Sequence, residues 1–124
     1  MNESAPPSSN FRFLTETWPH LYKAASRAES LVMGDPRGAC FYARRALELA
    51  VRWLYEHDGS LKLPYDDSLS ALLHEPTFRN GIGPARFAKS RLIKDIGNQA
   101  VHSNKPIRQY DALYAVRELF HITF

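Results

Sequence analysis

Apolar residues recur along this chain at intervals of three and four, the period of an α-helix. Leu21, Ala25, Ala28 and Val32 form one such stripe and predict a first helix from about Glu16 to Met33, stopped by Gly34. Thr17 is its expected N-cap, and Pro19 sits in the first turn, where a missing N–H costs nothing. Asp35-Pro36 opens a second helix running to about His57 and ended by Asp58-Gly59. Tyr42, Ala43, Ala46, Leu47, Ala50, Val51, Trp53 and Leu54 cover well over half of its wheel, against a narrow polar strip of Arg45, Glu48, Arg52 and Glu56. A helix that apolar belongs at the centre of a bundle.

A short helix is expected from Asp67 to His74, with Leu69, Leu72 and Leu73 inward and Pro76 breaking it. Asn80-Gly-Ile-Gly-Pro84 reads as a turn, and a fourth helix follows from about Pro84 to Val101. Ser103-Asn104-Lys105-Pro106 is a further turn, and the last helix runs from about Pro106 to the chain end. No run alternates with period two, so no strand is expected. The fold class is therefore all-α, a bundle of four main helices plus one short helix.

Residues 1–10, rich in Pro and Ser, read as a flexible leader, and residues 11–124 as a single helical domain anchored at its start by Phe11, Phe13 and Leu14. The last helix is apolar around most of its circumference. Tyr110, Leu113, Val116 and Phe120 are expected to face the bundle, and Ile107, Tyr114 and Ile122 to point elsewhere. The chain stops at His121-Ile-Thr-Phe124 without a polar end, which suggests the N-terminal fragment of a longer polypeptide.

Composition narrows the function classes. The 124 residues are 44% hydrophobic, enough for one core and too few for a motor or nuclease domain with appended parts. A net charge of +3 is compatible with a nucleic-acid neighbour without demanding one. The single Cys40 cannot form an internal disulfide, which favours a reducing compartment. No signal peptide and no apolar run of membrane-spanning length is visible, so the expected location is the cytoplasm and no membrane partner is expected. The five histidines have no metal-ligand spacing, and no GxGxxG, Walker-type or GxSxG motif is present. Cys40 lies near a helix start, where the dipole could lower its pKa; the alternative is a small packed hydrophobe. Arg86, Lys89, Arg91 and Lys94 offer a loose basic surface for phosphates, or simply a solvated face.

The fourth helix carries the most informative pattern. Arg91, Lys94, Asp95, Asn98 and His102 share one face, opposite an apolar stripe of Ala88, Leu92, Ile96 and Ala100. Asn and His offer directional hydrogen bonds at neutral pH, unlike an ordinary Glu/Lys face. Either function sits here, in Arg91, Lys94, Asn98 and His102 as a docking or nucleic-acid-facing stripe, or the stripe is a structural hydrogen-bond network.

Arg91-Leu-Ile-Lys-Asp-Ile-Gly-Asn-Gln-Ala-Val-His102 resembles a helical domain at the N-terminus of the restriction and translocation subunit of type I restriction-modification enzymes. Phe11 to Leu14 looks like that family's opening, and Asp35-Pro36 with Cys40-Phe-Tyr-Ala-Arg-Arg-Ala-Leu-Glu-Leu-Ala-Val-Arg-Trp-Leu-Tyr55 looks like its second helix. The resemblance covers nearly all of the chain after the leader. The family is similar to the broader HEPN class of all-helical domains, some of which are ribonucleases with an arginine followed, after four to six residues, by a histidine. The matching histidine would be His102, and the allowed arginine positions hold Asp95, Ile96 and Gly97 instead.

The resemblance implies a non-catalytic accessory module with no catalytic, cofactor or metal residues of its own. ATP and Mg2+ would serve only the nuclease and translocase domains of the parent chain. The implied partners are those downstream domains, the methyltransferase and specificity subunits, and DNA reached through the complex. The alternatives are a HEPN-type ribonuclease or nucleotide-binding domain, and a free-standing helical adaptor that forms a homodimer through its last helix.

Overall fold

A computed structural model describes residues 9–124. They form a 3-10 turn, Arg12–Leu14, and five helices: α1 (Pro19–Leu31), α2 (Pro36–His57), α3 (Leu69–His74), α4 (Pro76–His102) and α5 (Gln109–Thr123). No strand occurs among the described residues, so the fold is an all-α bundle. Most of the expected leader lies outside the described residues. Its last two positions are fixed: Ser9 Oγ donates to Glu29 Oε1 at 2.6 Å, and the Asn10 N–H donates to Oε2 at 3.2 Å. This clip on α1 lets Phe11 and Leu14 drop into the core, both fully buried.

The first helix starts later than the apolar pattern implies. Trp18 takes the N-cap position rather than Thr17, with φ −132° and ψ 68°, and Pro19 is the first helical residue. The pyrrolidine ring of Pro19 keeps the preceding residue out of the α region, so the helix cannot extend back towards Glu16. Leu21, Ala25, Ala28 and Val32 are buried as expected.

The start of α2 follows its sequence signals. The Asp35 side chain accepts the Gly38 N–H at 3.0 Å, and Pro36 occupies the first turn. This helix packs against α1, α4, α5 and α3, which makes it the centre of the bundle. Its deeply buried residues are Ala39, Cys40, Ala43, Ala46, Leu47 and Val51, while Tyr42, Trp53 and Leu54 are only half-buried. Small side chains on the inner face allow neighbouring backbones to come close. In α3, Ser68 caps by accepting the Ala71 N–H at 3.2 Å, and Leu69, Leu72 and Leu73 are buried.

Pro76 starts a helix instead of ending one. It stands at the first position of α4, where its absent N–H is not needed, and the Glu75 side chain accepts the Thr77 N–H at 2.7 Å. Residues 76–82, read from sequence partly as a turn, are helical and bury Phe78. The break comes at Gly83, whose φ of 86° and ψ of 165° only glycine adopts readily. Pro84 then restarts the helix.

The inward face of α5 also differs from expectation. Ala112, Ala115, Val116 and Leu119 are buried, whereas Tyr110 is 71% and Leu113 59% exposed. Ile107 and Ile122, expected to point away, are partly buried against the core. Between α4 and α5, the buried Glu118 accepts hydrogen bonds from Lys89 Nζ at 3.1 Å and 3.3 Å and sits 3.0 Å from His121 Nδ1. Burial pushes the Glu118 pKa up, but the Lys89 and His121 contacts and the charges of Lys89 and Arg117 outweigh it, so the carboxyl lies below its ordinary range. No helix among the described residues is long and apolar enough to cross a membrane.

Leu47 is 1% exposed at the middle of α2. Leu47→Asp places an unpaired charge there at a cost of several kcal/mol, a large part of a typical domain's stability. Circular dichroism of the purified variant should show lost helicity or a non-cooperative melt. A soluble variant with wild-type helicity and a cooperative melt would contradict the central position of α2.

Candidate functional site

The stripe expected on α4 does not act as one surface. Arg91 is exposed, with its guanidinium carbon 5.9 Å from the Phe87 ring centre. The Lys94 side chain is 11% exposed and its amine lies 3.3 Å from Asp95 Oδ1. Asn98 is half-buried and turned towards α2, where its Oδ1 accepts the Arg44 Nε–H at 2.9 Å. His102 is exposed at the last helical position. Arg91 and His102 sit on one side of the helix, three turns or about 16 Å apart at 1.5 Å per residue. One protomer therefore cannot hold a single phosphate between them.

The buried face of α4 explains why the stripe divides. It consists of Phe87, Ser90, Ile93, Gly97 and Ala100. Ala88, expected to be inward, is exposed, and Leu92 and Ile96 are half-buried. The contact face is thus rotated towards the small residues. At its middle, a side chain on Gly97 would meet Arg44: an added Cβ would stand 2.5 Å from Arg44 Cβ and 2.7 Å from Arg44 Cδ. The absence of a side chain at 97 lets α2 approach, and the approach brings Arg44 to Asn98.

Two arginines of α2, neither singled out in the sequence, organise this joint. Arg44 continues from Asn98 to Glu48, with its Nη1 3.6 Å from Oε1. Glu48 also accepts Arg52 Nε at 3.1 Å, and Arg52 Nη2 donates to the Asp67 carbonyl at 2.9 Å. The chain of contacts runs from α4, along α2, to the loop before α3. Arg37, the second residue of α2, closes the end of α4. Its guanidinium donates to the carbonyls of Ala100 at 2.7 Å, Ser103 at 3.0 Å and Gln99 at 3.3 Å, and also to that of Lys105. The last carbonyls of a helix lack internal partners and carry the negative end of its dipole, so a cation there satisfies both. The sequence signal for this joint was Gly97-Asn98 itself, a gap beside a directional acceptor. Its partners stand 54 and more positions away and could not be read from local spacing.

The remaining candidates resolve simply. Cys40 is fully buried, and burial together with the Asp111 charge pushes its thiol up to about 11 despite the nearby Arg37. It packs as a small hydrophobe, as the second of the two sequence readings has it, and the helix dipole does not lower its pKa. The basic face of α4 is partly consumed, because Lys89 is bound to Glu118 and Lys94 to Asp95. No group of His, Cys, Asp and Glu that could hold a metal ion occurs among the described residues.

The geometry of α4 makes a direct demand on Gly97. Alanine ordinarily favours a helix over glycine by about 1 kcal/mol. Here its Cβ collides with the root of the Arg44 side chain, which no rotamer moves, and overpacking of this kind costs about 1–3 kcal/mol. Gly97→Ala should therefore lower the midpoint of thermal unfolding. A midpoint at or above that of the unaltered protein would show that the two helices are not in close contact.

Residues 26–123 match the model of a family described as Domain of unknown function (DUF4145). No curated protein and no solved structure matches the chain.

Proposed function

The chain belongs to the DUF4145 family, and we propose that it is a non-catalytic helical interaction module of a type I restriction motor subunit. The resemblance of the Arg91–His102 segment supports the context. The observation that carries the non-catalytic part is the Arg44–Asn98 contact: the central residue of the polar stripe is spent on holding α2 to α4. The parent enzyme would supply chemistry elsewhere, with ATP and Mg2+ in its nuclease and translocase domains. Its setting would be the cytoplasm.

A surface for docking lies on the other side of α5. Tyr110, Leu113 and Phe124 are 71%, 59% and 82% exposed, and Met33, in the turn after α1, joins them at 69%. Between α1 and α5 runs a groove of about 500 Å³, lined by Val32, Met33, Tyr110, Leu113, Tyr114 and Phe120 among others. An apolar groove with half-exposed aromatics is the kind of surface that partners cover. In this reading it receives downstream domains of the parent chain or its methyltransferase and specificity subunits, and DNA is reached through that complex. A homodimer through the same face is the adaptor alternative.

The second reading, a HEPN-type ribonuclease, draws on one observation: Arg91 and His102 are both exposed on one side of α4, so two chains could bring them together. Incubation of the purified protein with RNA separates the two. The expected result is no cleavage, with His102→Ala indistinguishable from the unaltered protein. Robust cleavage that disappears in His102→Ala would replace the accessory reading with the nuclease one.

A further inference from the structure

A second cationic surface lies away from α4. Between α1 and α2 is an open groove of about 570 Å³. His20, Lys23 and Arg27 line it from α1, and Tyr42, Arg45 and Leu49 from α2. The three α1 residues are spaced i, i+3 and i+7, so they share one face over about 10 Å at 1.5 Å per residue. Arg45 stands across from them, one turn from Tyr42 on one side and from Leu49 on the other. The Arg27 guanidinium carbon lies 5.7 Å from the Tyr42 ring centre.

The charged side chains that line the groove, Lys23, Arg27 and Arg45, are all cations. No carboxylate lines it. Among the described residues, no carboxylate lies within 4.0 Å of Lys23, Arg27 or Arg45, while every ion pair of the bundle involves other cations. Glu48, next to Leu49 in sequence, is held by Arg44 and Arg52. The contrast with α4 is informative, because there Lys89 and Lys94 have carboxylate partners and here the cations have none.

We propose that this groove binds the phosphate backbone of a single-stranded nucleic acid. Lys23, Arg27 and Arg45 supply point and forked charges for successive phosphates. The Tyr42 ring and Leu49 give sugars and bases an apolar floor between the charges, the combination that single strands use. Nothing in the groove presents paired donors and acceptors to a base edge, so binding is sequence-independent. The proposal stands apart from the restriction-subunit reading, since it rests on α1 and α2 alone.

The test is fluorescence anisotropy of a labelled oligothymidylate titrated with the full chain at several salt concentrations. Three phosphate contacts on a single strand give a slope of log affinity against log salt of about −2. Lys23→Glu/Arg45→Glu should weaken binding at least about tenfold and flatten that slope. Lys62→Glu/Lys105→Glu, an equal change in net charge on exposed loops, should leave affinity within about twofold. Circular dichroism confirms that each variant is folded; all four positions are exposed. Tyr42→Leu, which keeps apolar bulk, should weaken binding without altering the slope. Absence of binding by the unaltered protein overturns the proposal. So does equal loss in both charge-reversed variants, which would mean that net charge alone is responsible. Competition by polyglutamate as strong as by unlabelled oligothymidylate would overturn the nucleic-acid assignment, because the groove would then read negative charge without the strand.

Discussion

The bundle depends on the place where α2 and α4 touch at Gly97. Any side chain there would run into the root of Arg44. With none, the helices come close enough for Arg44 to lie against α4 and reach Asn98, and for Arg37 to reach past the helix end. A guanidinium brought partly out of water loses hydration, and the cost is offset only where its N–H groups find acceptors. Arg37 finds four carbonyls and Arg44 finds Asn98 and Glu48. Because α2 also carries α1 and α5, its fixed relation to α4 sets the position of the other long helices. The Lys89–Glu118 pair then ties α4 to α5.

Much of this fold was legible in the sequence. Asp35-Pro36 located the start of α2, and the leucine triplet of α3 faces inward as its spacing requires. The misplaced helix faces share one cause. Leu92 and Ile96 were given the inward face of α4, and Tyr110 and Leu113 that of α5, but the close contacts use Ser90 and Gly97 beside the expected Ala100 on one helix, and Ala112 and Ala115 beside the expected Val116 on the other. Helices packed tightly against a central partner put small residues at the contact and push Tyr110 and Leu113 to the rim. Pro76 was misread for a different reason. Proline stops a helix from within and starts one from its first turn, and only the Glu75 cap distinguishes the two cases. Arg37 and Arg44 were invisible because their acceptors belong to a helix far along the chain.

The polar segment that suggested a site is therefore mainly a joint, and the surfaces left for partners lie elsewhere. Gly97, Asn98 and Ala100 are engaged by α2 and so have a packing role, whatever else they do. The exposed band on α5 and the cationic groove between α1 and α2 have opposite chemistry, one apolar and one charged. In the proposed reading, a module joined at its centre presents these two faces to its partners.

The joint is tested most directly by a double-mutant cycle on Arg44→Ala and Asn98→Ala, with unfolding free energies from denaturant titration. A charge-assisted bond between partly buried groups should appear as a coupling of about 1–3 kcal/mol beyond the sum of the single effects. Additivity of the two substitutions within about 0.5 kcal/mol would show that Arg44 and Asn98 act independently, and that the polar stripe of α4 is not what holds the bundle together.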